Sequence, residues 1–147
     1  MAGEDESNVE EVADEMPATI YDVENLYNAE RERREQMLER FYEEHKGVKI
    51  KDWLSWLVYA TDMFIVGSFE KNWKSVVAGY HWFEDWGRDT FIALPGLMLI
   101  TGRFEDARQT FLTFNQHFMN GLIPNFISDT DAKPVYNAVD ATLWFVN

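Results

Sequence analysis

Residues 79–90 concentrate chemically active side chains in the order Gly-Tyr-His-Trp-Phe-Glu-Asp-Trp-Gly-Arg-Asp-Thr. This stretch combines four aromatic rings with three carboxylates, a histidine and a guanidinium, a mixture that a hydrophobic core does not need. Aromatic faces stack on the C–H surface of a sugar ring, and charged groups hydrogen-bond to its hydroxyls. We therefore interpret Trp82 and Trp86 as walls of a carbohydrate-binding cleft, although tryptophan is also common in cores.

Two further segments carry candidate site residues, at 121–125 and 136–144. The candidates there are Asn125, Tyr136, Asn137 and Asp140. Each also has a structural interpretation, since Tyr136 and Asn137 could anchor loops and Asp140 could simply begin a helix. The same holds in the first segment, where Asp89 could cap a helix and Arg88 could pair with a nearby carboxylate.

Composition and charge exclude several classes of function. The 147 residues contain no cysteine, and the three histidines lack the spacing of a zinc site, so we expect no metal centre. Net charge is -13, and residues 1–47 hold 15 acids and 5 bases, a composition that disfavours a nucleic-acid partner. The acidic N-terminus resembles no signal peptide, and no long apolar run predicts a membrane span. We expect a cytoplasmic protein, and the sequence does not indicate its oligomeric state.

Hydrophobic periodicity predicts a mainly helical chain. Residues 1–16 read as a flexible acidic tail or linker. Charged or amphipathic outer helices are predicted at 24–45 and 103–119, and segments that are apolar on nearly all sides at 52–66 and 90–101. Pro95 should kink the latter segment or sit in a locally tolerated bend. A loop or short hairpin is predicted at 67–83, a long loop at 120–136 and a further helix at 137–147.

The alternation of buried and one-faced helices is typical of an α/α toroid, in which outer helices cover inner ones. We therefore predict an all-α fold in which residues 17–147 form the N-terminal portion of an (α/α)6 barrel. The last predicted helix ends with an uncovered apolar face, which suggests a piece of a larger catalytic domain.

Four motifs resemble the amylo-α-1,6-glucosidase domain of glycogen debranching enzymes: WFEDWGRDT at 82–90, LPGL at 94–97, GLIPN at 121–125 and YNAVDATLWF at 136–145. The resemblance spans roughly residues 50–147. It implies an (α/α)6 barrel and inverting hydrolysis of α-1,6-linked glucose at glycogen branch points, without a metal or organic cofactor. Arg88 and Asp89 then resemble the pair that holds the hydroxyls of the terminal glucose, and Asp140 resembles the general acid.

The family's general base is a glutamate further downstream, so we expect the 147-residue chain to be inactive by itself. Two alternatives stay open. One is another helical-barrel glycosidase, similar to a glucoamylase, trehalase or α-glucosidase. The other is a glucan-binding domain without catalytic activity.

Overall fold

The computed structural model describes residues 20–68, 73–81, 83–127 and 133–147. The predicted acidic tail at 1–16 lies outside these residues. The chain divides into two compact units, residues 1–36 and 37–147. The described residues are mostly helical, with short strands between the helices.

Helix α1, Ile20–Glu44, is a charged helix stabilised by pairs along its own surface. In the first unit Glu30 accepts hydrogen bonds from Arg33 and Arg34, each with a shortest N–O distance of 2.7 Å. These two donors lower the pKa of Glu30 to about 2. The second unit begins with the last two turns of α1, where Met37 and Phe41 are buried.

Helix α2, Asp52–Phe64, packs Val58 against Met37 and Phe41. The sequence predicts burial on nearly all sides, but this prediction is wrong for much of the helix. Trp53 is 67% exposed and Trp56 is 72% exposed. Apolar side chains are more stable when buried, but they are buried only where other elements of the protein cover them. The described elements leave these two side chains uncovered.

Three antiparallel strands follow: β1 at Ile65–Ser68, β2 at Trp73–Gly79 and β3 at Phe83–Asp85, in the order β1-β2-β3. The predicted hairpin is thus confirmed, with Ile65 opposite Val76 and Gly79 opposite Phe83. The all-α prediction missed β-structure of this extent. A second small pair, β4 at Phe126–Ile127 and β5 at Pro134–Val135, lies within the predicted long loop.

Helix α3, Gly87–Leu94, continues into a π-helical turn at Pro95–Leu99. Pro95 has no N–H to donate to the preceding turn, so the prediction of a distortion there is confirmed. The wider turn is closed by bonds that span five residues, from Ile100 N to Pro95 O at 3.0 Å and from Arg103 N to Met98 O at 2.7 Å.

Helix α4, Phe104–Asn115, and helix α5, Asp140–Val146, complete the described elements. Most of the main core comes from α3, the π-turn and α4, with β2 and the segment before β4 adding one residue each; its buried members are Val76, Phe91, Leu94, Met98, Ala107, Phe114 and Ile123. Phe145 of α5 joins this core, with its ring centroid 5.0 Å from that of Phe91 and 5.2 Å from that of Phe111. This contact holds α5 beside α3.

A partly buried ionic cluster links three of the elements that surround this core. Arg103 donates to Asp62 at 2.6 Å and to Asp106 at 2.8 Å, and Lys74 lies 3.3 Å from Asp106. The cluster therefore joins α2, β2 and α4 through side chains that are largely withdrawn from water.

Candidate functional site

An open cleft lies where β2, β3 and the start of α3 meet. It has a volume of about 280 Å³ and is lined by Ala78, Phe83, Trp86, Arg88 and Asp89. This volume is slightly below the ~300–1,000 Å³ range of sites for drug-sized ligands. The cleft thus suits one small polar ring, since both aromatic and charged side chains line it.

Arg88 brings two carboxylates together beside this cleft. Its Nε lies 3.8 Å from Asp89 Oδ2, and its Nη1 lies 3.6 Å from Asp140 Oδ2. The three side chains are 47%, 42% and 41% exposed, in the order Arg88, Asp89, Asp140. Because these contacts are long and the side chains are partly exposed, the guanidinium keeps donors available for a ligand.

The helix that carries Arg88 and Asp89 begins in a tightly packed place. Gly87 donates its N–H to Asn125 O at 2.8 Å. A Cβ atom at Gly87 would lie 2.3 Å from Pro124 O and 3.2 Å from Phe114 Cε1. Glycine is therefore required for the start of α3 to approach residues 124–125 so closely.

Asn125 is bonded to the start of α3 and is 4% exposed. Its Oδ1 accepts a hydrogen bond from Arg88 N at 3.3 Å, and its Nδ2 donates to Asn137 Oδ1 at 3.0 Å. Asn125 does not line the cleft. Both ends of its carboxamide therefore have protein partners, and its predicted contact with substrate stays a prediction.

The remaining predicted residues divide between anchors and the cleft wall. Tyr136 is partly buried and donates from Oη to His117 O at 2.5 Å, as the loop-anchor interpretation expects. Asn137 is exposed and accepts from Asn125. Trp86 lines the cleft and packs on Phe126, with ring centroids 5.4 Å apart and planes tilted by 42°. Trp82 lies outside the described residues.

The structure bears on the structural interpretations of Asp89 as a helix cap and of Arg88 as the partner of a nearby carboxylate. Trp86 occupies the N-cap position of α3 and Asp89 lies in the first turn, so Asp89 is not the capping residue. Arg88 forms ion pairs with Asp89 and Asp140. Sequence reasoning missed Ala78 and Phe83 as lining residues. For Phe83 a signal was present, since it is one of the aromatic rings of residues 79–90; for Ala78 there was only the hairpin pattern, since an alanine carries no chemical signature.

The described residues contain no group of three or more His, Cys, Asp or Glu side chains arranged to hold a metal ion. None of the helices in the described ranges is both long and apolar enough to cross a membrane.

Comparison with known proteins identifies the class to which this fold and site belong. The family model described as "Amylo-alpha-1,6-glucosidase" matches residues 59–147, which include all of the cleft and Asp140. The chain therefore belongs to the amylo-α-1,6-glucosidase family.

A particular relative is the protein named glycogen debranching enzyme from Saccharomyces cerevisiae, which is 41% identical over 81 residues. The aligned region covers 52% of this chain and 5% of the yeast protein, so the chain corresponds to a small part of that relative's length. No solved structure matches the chain. The predicted resemblance to debranching enzymes is thus confirmed.

Proposed function

We propose that this chain contributes the sugar-binding cleft and the general acid of an enzyme that removes α-1,6-linked glucose at glycogen branch points. The observation that carries the proposal is the position of Arg88 within 4 Å of both Asp89 and Asp140 at an open, aromatic-walled cleft. Membership of the family and the name of the yeast relative support the choice of substrate.

Each side chain has a role that follows from its position. Trp86 and Phe83 offer ring faces to one face of the terminal glucose. Arg88 donates to the sugar hydroxyls and Asp89 accepts from them. Trp82, adjacent in sequence to Phe83, is proposed to extend the same wall. Tyr136 and Asn137 hold the segment that leads to Asp140.

Asp140 is proposed to protonate the leaving glycosidic oxygen. A protonated carboxylic acid no longer attracts a guanidinium, so proton donation requires Arg88 to exchange its contact with Asp140 for the hydroxyls of the sugar. The 3.6 Å separation is compatible with this exchange, because it is longer than a direct hydrogen bond. Sugar binding and acid function would then be coupled through one guanidinium.

Inversion requires a second carboxylate about 6.5–9.5 Å from the acid, with a water between them. We propose that this base is a glutamate that follows residue 147 in the intact protein, and that the helices described here belong to an (α/α)6 toroid. Both proposals predict that the 147-residue chain binds sugar without hydrolysing it. We also propose that the intact protein is cytoplasmic. Its polymeric substrate is proposed to be glycogen or a related branched α-glucan.

The test is hydrolysis by the intact protein of isomaltose-type, α-1,4-linked and α,α-1,1-linked substrates. Cleavage restricted to the α-1,6 linkage supports the proposal. Cleavage of the other linkages alone would place the protein with glucoamylase-, trehalase- or α-glucosidase-like enzymes. Binding of glucan with no cleavage of any linkage would indicate a binding domain.

Two substitutions separate binding from chemistry. Arg88→Ala should abolish glucan binding, whereas Asp140→Asn should retain binding and lower kcat by at least about 100-fold. Arg108→Ala is the matched control for the first, since Arg108 is an exposed arginine paired with Glu105 on α4. Asp52→Asn is the control for the second, since Asp52 is also an exposed first residue of a helix. Equal loss of turnover in Asp52→Asn and Asp140→Asn would refute the assignment of the acid.

A further inference from the structure

The peptide segment 123–125 is buried, although it belongs to a connection between helices. Ile123 and Pro124 are fully buried, and Asn125 is 4% exposed. A buried connection must satisfy its polar groups within the protein. Asn125 does so through four hydrogen bonds, and their partners are residues that flank the site.

The backbone of Asn125 joins two segments. Its N–H donates to Val135 O at 2.8 Å, and its carbonyl accepts from Gly87 N at 2.8 Å. The side chain repeats the connection one residue further along the first segment and two residues further along the second, since Oδ1 accepts from Arg88 N and Nδ2 donates to Asn137. One residue therefore joins the start of α3 to the strand and loop that lead to Asp140.

A carboxamide is suited to this position because it carries an acceptor and a donor at its two ends. Leucine has a similar shape but offers neither group. Aspartate offers acceptors only and would place a negative charge where the side chain is almost fully withdrawn from water. The side-chain chemistry of asparagine thus matches both partners at once.

The Arg88–Asp140 separation of 3.6 Å is too long for a strong direct bond to fix it. The distance must instead be set by the segments that carry the two side chains. Asn125 bonds to the backbone of Arg88 and to Asn137, three positions before Asp140. It therefore links the two segments next to the site, whereas the ring contacts of Phe145 hold α5 beside α3 further along the helix.

We infer that Asn125 is a positioning residue that sets the separation of Arg88 and Asp140 through its bond to Asn137, without touching the sugar. The inference rests on the proposed function for its kinetic consequence, but the geometric consequence is independent of any activity.

The test centres on Asn137, which is exposed, so that its variants should fold. Asn137→Ala removes the acceptor for Asn125 Nδ2, and Asn137→Asp keeps an acceptor. In the intact protein, Asn137→Ala should lower kcat for an α-1,6-linked glucoside by about 10- to 100-fold, the range expected for a displacement of about 1 Å. KM should stay within about twofold of wild type. Asn137→Asp, compared at its own pH optimum, should retain more of the wild-type kcat than Asn137→Ala.

Asn125→Ala supplies the second arm of a double-mutant cycle. The Asn125→Ala/Asn137→Ala protein should have the kcat of Asn125→Ala alone, because the shared bond is already lost. Asn115→Ala, at an exposed asparagine at the end of α4, is the control and should leave kcat unchanged. If Asn125→Ala does not fold, the two Asn137 variants decide the question.

Crystal structures of wild type and Asn137→Ala provide the readout that needs no activity. The Arg88–Asp140 distance should lengthen by about 1 Å or more in the variant. An unchanged distance, or an Asn137→Ala protein with wild-type kcat, would overturn the inference. A rise in KM with unchanged kcat in both Asn137 variants would instead assign Asn137 to direct sugar contact. Absence of α-1,6 cleavage by wild type would refute the proposed function and leave the distance measurement as the test of Asn125.

Discussion

Substituting Gly87 by alanine tests the close approach on which the candidate site depends. The added Cβ would lie 2.3 Å from Pro124 O and 3.4 Å from Asn125 Cα. The first contact is with a backbone atom, so a side-chain rotation cannot relieve it. Either the start of α3 or the buried segment 123–125 must move.

The size of the effect follows from three contributions. Overpacking of a buried contact costs about 1–3 kcal/mol. Loss of the Gly87–Asn125 hydrogen bond costs about 1 kcal/mol. The higher helix propensity of alanine offsets about 0.5–1 kcal/mol of this loss in unfolding free energy. The net loss of unfolding free energy is therefore about 2 kcal/mol, which corresponds to a Tm lower by roughly 8 °C for a chain of this size.

Urea unfolding and thermal unfolding of Gly87→Ala measure this loss directly. Gly96→Ala is the matched control, because a Cβ at Gly96 meets no atom within 4 Å and should leave stability unchanged or slightly higher. Wild-type stability in Gly87→Ala would show that α3 does not approach residues 124–125 as described, and the account of the Arg88–Asp140 geometry would fail with it.

Three further predictions concern elements around the site. Arg103→Ala should lower the unfolding free energy by about 2–4 kcal/mol because two partly buried aspartates lose their partner. Arg108→Ala, at an arginine that is 60% exposed, should leave the unfolding free energy almost unchanged; equal effects in urea unfolding would contradict this. Phe145→Ala should lower the unfolding free energy by about 2–4 kcal/mol because the ring contacts of Phe145 are lost. Its control, Leu143→Ala at a residue that is 60% exposed, should change the unfolding free energy by at most about 0.5 kcal/mol. The low pKa of Glu30 makes the stabilising contribution of its arginine pairs fully present above pH 4.5 and lost as the pH falls towards 2. The difference in Tm between wild type and Glu30→Gln should be small because the pair is exposed. This difference should disappear as the pH falls from 4.5 to about 2. A Tm difference that grows on acidification would refute the pairing.

Much of the local structure could be predicted from single stretches of sequence. The helix at Phe104–Asn115 follows from apolar residues at helical spacing, and two of them, Ala107 and Phe114, are buried as the spacing requires. The distortion at Pro95 follows from a missing N–H. These features depend on neighbouring residues, so local sequence is sufficient to predict them.

Burial was harder to predict than secondary structure. The apolar circumference of Asp52–Phe64 indicated a fully packed helix, yet Trp56 is 72% exposed. The short strands at Phe126–Ile127 and Pro134–Val135 were also missed, because two-residue strands have too little pattern to be recognised. In both cases the outcome depends on which distant segments meet.

The amino-acid sequence by itself determined the chemical inventory of this protein: the tryptophans, Arg88, Asp89 and Asp140, and the family to which their motifs point. Only the tertiary structure decided how this inventory is arranged. It placed Asp140 beside Arg88, withdrew Asn125 from the cleft, and gave Ala78 and Phe83 a place in its wall. The physical reason is that side-chain chemistry is a property of single residues, whereas distance and burial arise from contacts between segments far apart in the chain.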